Sequence, residues 1–142
     1  MEIQIHNKSN HIYKHNISIE KITAWICIEL NLPIKKLDII FIDDERMRAM
    51  HKQYLNEDTY TDVMTFNLGS QDSIEGEIYI SSDRAEENAR FYKVSVINEI
   101  FRLLIHGCLH LHGYEDKDEE NRKLMQAKEE ELLTQAVMKY IK

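Results

Sequence analysis

The chain has 142 residues, 43% hydrophobic and 30% charged, the make-up of a globular protein long enough to bury a core. Its formal charge of −7 disfavours a general nucleic-acid binder, because neutralising phosphates takes lysine and arginine; a local basic cleft or a metal ion would still draw phosphate. No apolar run reaches membrane-spanning length, the first seven residues lack signal-peptide character, and two cysteines are too few for a disulfide framework, so a soluble protein of a reducing cytoplasm is expected, with no membrane partner.

With one proline, four glycines and no repeat, nothing marks a linker, and residues 1–142 read as a single domain. Residues 2–6 alternate with period two, as a half-buried strand does. Residues 18–31 read as an amphipathic helix with Ser18 as N-cap, Ile22, Trp25, Ile26 and Leu30 on one face, and Pro33 as the stop. Residues 37–43 form a compact apolar strand, and Asp43-Asp44 at its end can cap a helix reaching about Tyr54. Arg46, Arg48 and Lys52 share a face of that helix and are expected to be solvated surface, as are Arg84, Arg90, Lys93 and Arg102 further on. Residues 61–66 and 77–80 read as two more strands, the second introduced by Gly76. Asp83 followed by Glu86 resembles a capping box, opening a helix to about Tyr92. Cys27 and Cys108 read as small core residues, and His6, His11, His15 and His51 as isolated surface histidines.

Ser95 opens the most informative segment. Val96, Ile97, Ile100, Phe101, Leu103, Leu104, Ile105, Cys108 and Leu109 wrap nearly the whole circumference of a helix, which predicts a central, buried one. The exception is a polar stripe, Ser95, Glu99, Arg102, His106 and His110, spaced four, three, four and four. Polar groups lined up on a buried helix need partners, and a metal-centred cleft supplies them. His106 and His110 are four residues apart, so their rings lie only about 40° apart and one turn up the same face. Gly113 can turn the chain back in a left-handed conformation, bringing Asp116 round as an oxygen ligand. Three protein ligands with an open position describe a catalytic zinc site, for which other divalent transition metals could substitute. His112 points roughly 160° away from His110 and is expected outside the set. The final helix, residues 117–140, is highly charged, with Leu124, Leu132, Leu133, Val137 and Tyr140 as its apolar seam.

The H-x3-H-x2-G-x2-D spacing resembles the zinc motif of metzincin-type peptidases, except that Gly107 stands where those enzymes place the glutamate base. A closer resemblance covers residues 45–133. His106-Gly107-Cys108-Leu109-His110-Leu111-His112-Gly113-Tyr114 resembles the HGxLHLxGY signature of the YbeY family. Leu55-Asn56 with Thr61-Asp62-Val63-Met64-Thr65-Phe66 is similar to its LN…TDVLSF segment, Gly76-Glu77-Ile78-Tyr79-Ile80-Ser81 to its GDIVIS strand, and Glu99 stands where the family helix has a glutamate. This resemblance implies an α+β fold, with a small mixed four-stranded sheet, about five helices and a metal site at the end of a central buried helix. It also implies a single-strand-specific, metal-dependent endoribonuclease of ribosomal RNA maturation, with ribosomal RNA and the small ribosomal subunit as partners and no DNA. A monomer is expected.

Two departures stand out. Asp116 replaces the family's usual third histidine, and the short segment between Asn56 and Thr61 lacks the arginine to which catalysis or substrate contact is attributed. Arg102, one turn before His106, is the substitute candidate, with Asp62 as a second catalytic candidate; an ion pair between Arg102 and Glu99 is the plainer reading. A single-stranded substrate suits a cleft, where splayed bases could stack on Tyr60, Tyr92 or Tyr114. Two other functions fit the same residues: a non-catalytic zinc-containing ribosome assembly factor, and a metallopeptidase-like hydrolase.

Overall fold

The computed structural model describes residues 1–7 and 16–141. Its elements run β1 (Glu2–Asn7), α1 (Asn16–Glu29), β2 (Ile34–Ile42), α2 (Asp44–Leu55), β3 (Val63–Asn67), β4 (Ile74–Ser81), α3 (Ser82–Tyr92), α4 (Val96–His112) and α5 (Glu119–Tyr140). The fold is α+β, as the resemblance implies, with a four-stranded mixed sheet in the order β1-β2-β4-β3. β1, β2 and β4 are parallel, while β3 runs antiparallel to β4 at one edge. That pairing follows from the connections. α1 carries the chain back over the sheet between two parallel strands, whereas β3 and β4 are joined by a short turn. In the turn, the Asn67 side-chain oxygen accepts from the Gly69 and Glu75 backbone N–H groups at 3.0 and 3.3 Å.

The pleat of β2 sends alternate side chains to opposite faces. Ile39 and Phe41 join Ile78, Ile80, Ile22, Ile26, Phe101 and Leu104 in the main core beneath α1, α4 and α5. Ile40 and Ile42 face the other way and meet Met47 of α2 and Met64 of β3. Ten of the 17 residues of α4 are buried, so this helix is the centre of the molecule and its few polar side chains have fixed surroundings. It lies very close to the sheet. A Cβ at Gly107 would stand 3.1 Å from Ile78 and 3.2 Å from the Thr65 hydroxyl. A side chain at position 107 would press on Ile78 and Thr65, which would have to give by a few tenths of an ångström, so the close packing disfavours a glutamate there.

Several local expectations are corrected. α1 starts at Asn16, so Ser18 lies inside the helix instead of capping it. β4 starts at Ile74, which donates its N–H to the Pro33 carbonyl, and Gly76 therefore sits within the strand. The cap of α3 is Ser81, whose hydroxyl accepts from Arg84 N–H; Asp83 is already in the first turn and accepts from the Asp44 N–H. Leu124 is 58% exposed, and the buried face of α5 runs through Met125, Glu129, Leu132 and Ala136. Asp43 does cap α2 and Ser95 does cap α4. Cys27 and Cys108 are free and buried in the main core. His11 and His15 lie outside the described residues. Among the described residues no single helix is long and apolar enough to cross a membrane.

Candidate metal centre

The polar stripe of α4 ends in two imidazoles facing each other. The ring centroids of His106 and His110 are 4.8 Å apart and their Nε2 atoms 3.2 Å apart. Gly113, at φ 115°, ends the helix in the left-handed region, with its own N–H and that of Tyr114 bonded back to Leu109. The turn does two things. It sets the Tyr114 carbonyl 3.1 Å from His110 Nδ1, and it swings Asp116 back until its Oδ2 is 4.0 Å from His106 Nε2 and 3.8 Å from His110 Nε2. Among the described residues this is the one group of three histidine, cysteine or acidic side chains able to share an ion.

The partners of the rings determine their tautomers. A carbonyl oxygen only accepts, so His110 carries its proton on Nδ1. His106 Nδ1 likewise faces the Glu129 carboxylate at 2.7 Å. In the neutral rings both Nε2 lone pairs therefore point at one spot, an arrangement stabilised by a shared proton or by a cation. Burial first, and the facing His106 second, hold the His110 pKa below its ordinary value, which favours the neutral, ligating form. The spacing fits a metal. Ligands about 2.05 Å from a tetrahedral zinc stand about 3.3 Å apart, close to the observed 3.2 Å. The Asp116 oxygen lies slightly outside that edge, on a side chain 47% exposed and able to rotate inward. Two imidazole nitrogens and one carboxylate oxygen suit zinc and its neighbours in the transition series.

Behind the rings is a layer that sequence reasoning missed. Glu129, on α5, is mostly buried and anchors His106. Its sequence signal was a glutamate in phase with Met125, Leu132 and Ala136 on an otherwise apolar face. Arg102 is 3.6 Å from Glu129 and 3.7 Å from Asp62, and it grips Glu99 with two bonds, Nε to Oε1 at 2.8 Å and a terminal nitrogen to Oε2 at 2.6 Å. Glu99 is 1% exposed and also accepts from Asn88 of α3, which in turn donates to Asp62 at 3.2 Å. The bond to Glu99, more than any other interaction, raises the Arg102 pKa above its already high ordinary value. The Arg102–Glu99 ion pair anticipated as the plainer reading is thus present, and Asp62 belongs to the same cage.

Other candidates separate cleanly. His112 is exposed and tilts against Tyr114. His6 pairs with Asp38 across the β1–β2 boundary. Arg46 and Arg48 are neutralised by Asp43 and Asp58, and Arg84 by Asp44. Tyr60 and Tyr92 are exposed with guanidinium groups over their rings, whereas Tyr114 is partly buried against the core. His51 is the correction of most consequence. It is 7% exposed and lines a cleft of about 280 Å³ together with His106, His110 and residues of β3.

Known proteins resemble this chain along nearly its whole length. The family model described as Endoribonuclease YbeY matches residues 2–137. A Flavobacterium psychrophilum protein named Endoribonuclease YbeY is 45% identical over 98 residues, covering 69% of this chain and 70% of its own. One of the same name from Chlorobium phaeobacteroides is 35% identical over 129 residues, 91% of this chain and 90% of the relative. A solution structure of a Thermotoga maritima protein matches with a TM-score of 0.72 at 26% identity, covering 97% of this chain and 91% of that one.

Proposed function

The chain belongs to the YbeY family of endoribonucleases, and on that footing we propose that it cuts RNA at a metal centre held by His106, His110 and Asp116. The observation that carries the assignment is the pair of Nε2 atoms 3.2 Å apart, with both Nδ1 atoms already engaged by Glu129 and the Tyr114 carbonyl. We take the metal to be zinc, which suits a His2Asp donor set with an open position. Bound there, it would supply Lewis acidity toward a phosphoryl oxygen and lower the pKa of a water molecule. The protein's own part is preparation. Glu129 fixes the His106 ring, the Gly113 turn presents Asp116, and the tight contact of α4 with the sheet keeps the ligands from drifting.

The substrate is read as single-stranded ribosomal RNA, cut during maturation of the small ribosomal subunit in the cytoplasm. A cleft between the α4 histidines and β3 accepts a flexible strand more readily than a rigid duplex. A peptidase reading has no support at position 107, where glycine stands in place of a glutamate base and a larger side chain would crowd Ile78 and Thr65. The non-catalytic assembly factor has one observation in its favour. Arg48, Arg84 and Arg102 are engaged by carboxylates, so RNA capture by these guanidinium groups is weakened.

Incubation of the purified protein with end-labelled single-stranded RNA distinguishes them. Cleavage is expected to stop after exhaustive chelation and to return on adding zinc. Cutting that is indifferent to chelator would exclude the metal mechanism, and no cutting in zinc would leave the assembly factor.

A further inference from the structure

The cleft beside the metal centre contains a third histidine, and its surroundings suit an anion. The cleft is lined by His51 from α2, by Leu55, by residues of the 61–66 segment, and by His106 and His110. Among the described residues no lysine, arginine or acid belongs to this lining, and Glu57 reaches it only through its pair with His51 Nε2 at 3.3 Å. With His106 and His110 assigned to the metal, His51 is the one remaining ring-nitrogen donor among the described residues that line the cleft. A phosphodiester entering this space needs such a donor.

His51 has its two ring nitrogens in different situations. Nδ1 donates to the Thr59 carbonyl at 3.0 Å, a bond between a buried ring and the backbone. Nε2 faces the Glu57 carboxylate at 3.3 Å, and Glu57 is 67% exposed. The first contact fixes the ring. The second is a long pair to a solvated side chain, worth little and easily broken. A carboxylate and a phosphate offer the same kind of anionic oxygen, so a phosphate that displaced Glu57 would meet the same Nε2.

We infer that His51 is a phosphate-binding residue of the RNA cleft and that Glu57 occupies its Nε2 until substrate displaces it. This rests on the RNA-cleaving function proposed above and names the group that holds the strand. A purely structural His51, tying the 56–62 loop to α2 through Thr59, would make Glu57 irrelevant to RNA.

The test uses the full chain loaded with zinc. Anisotropy of a fluorescent single-stranded RNA carrying 2′-O-methyl groups reports binding, and the unmodified RNA reports cleavage. His51→Gln, which keeps a donor for Thr59 but lacks the Nε2 that faces Glu57, is expected to weaken RNA binding about tenfold. Glu57→Gln, at an exposed position that does not threaten the fold, is expected to tighten it about threefold. If wild type binds and cuts but Glu57→Gln leaves affinity unchanged or weaker, the inference is overturned while the endoribonuclease stands. If His51→Gln fails to fold, Glu57→Gln alone decides. If wild type neither binds nor cuts RNA in zinc, the proposed function fails and this inference with it.

Discussion

Replacing His106 by alanine should reduce RNA cleavage by at least about a hundredfold and abolish stoichiometric metal binding. The expectation comes from geometry. His106 Nε2 is 3.2 Å from His110 Nε2 and 4.0 Å from Asp116 Oδ2, so without it only two donors of the cluster converge. The loss should be chemical more than structural. His106 is only partly buried, and Glu129 keeps Arg102 at 3.6 Å after the ring is gone. His112→Ala is the matched control, because that ring is exposed and lies outside the metal cluster. Cleavage rates and metal content of the two variants, measured beside wild type, check the prediction; near-normal cutting by His106→Ala would remove the ligand assignment.

Arg102→Met is expected to have the largest effect on stability. Glu99 is 1% exposed and receives two bonds from this guanidinium, so the substitution strands a carboxylate in the interior. Removing one partner of a buried pair costs about 3–5 kcal/mol, which for a chain of this size means a melting temperature lower by about 10 °C. Asp62 and Glu129 would lose the same counter-charge at 3.7 and 3.6 Å. Thermal unfolding together with cleavage separates two roles for Arg102. A cage residue lowers the melting temperature and takes activity down with it. A substrate-contacting residue would abolish cleavage with the melting temperature unmoved, and that result would restore Arg102 as a catalytic candidate.

The central helix was legible because its two messages agree. Apolar residues around the circumference announce burial, and a stripe of Glu99, Arg102, His106 and His110 announces that burial leaves polar work to be satisfied. Caps that act through adjacent residues, Asp43 and Ser95, were equally legible. Ser81 was harder, since it closes a strand and opens a helix at once, and its hydroxyl both accepts from Arg84 and donates to Asp44, 37 residues away. The start of β4 depends on Ile74 pairing with Ile34 and the Pro33 carbonyl, contacts that no local pattern contains.

The candidate site divides the same way. The His106–His110–Asp116 cluster lies within eleven residues of sequence, where helical geometry and one turn set the spacing. Glu129 comes from another helix and reads locally as a blemish in an apolar seam. His51 reads as surface because α2 is so polar; it is buried only once the 57–61 segment folds over it and Thr59 accepts from its ring. Residues proposed to bind the ion lie near one another in the chain, while those that position or complement them arrive through tertiary packing.

The most direct measurement is elemental analysis of the wild-type chain purified without a histidine tag and dialysed against a small excess of zinc. One zinc per chain is expected, falling to none when His106 and His110 are both changed to alanine. A folded wild-type protein that retains no transition metal under these conditions would contradict the account.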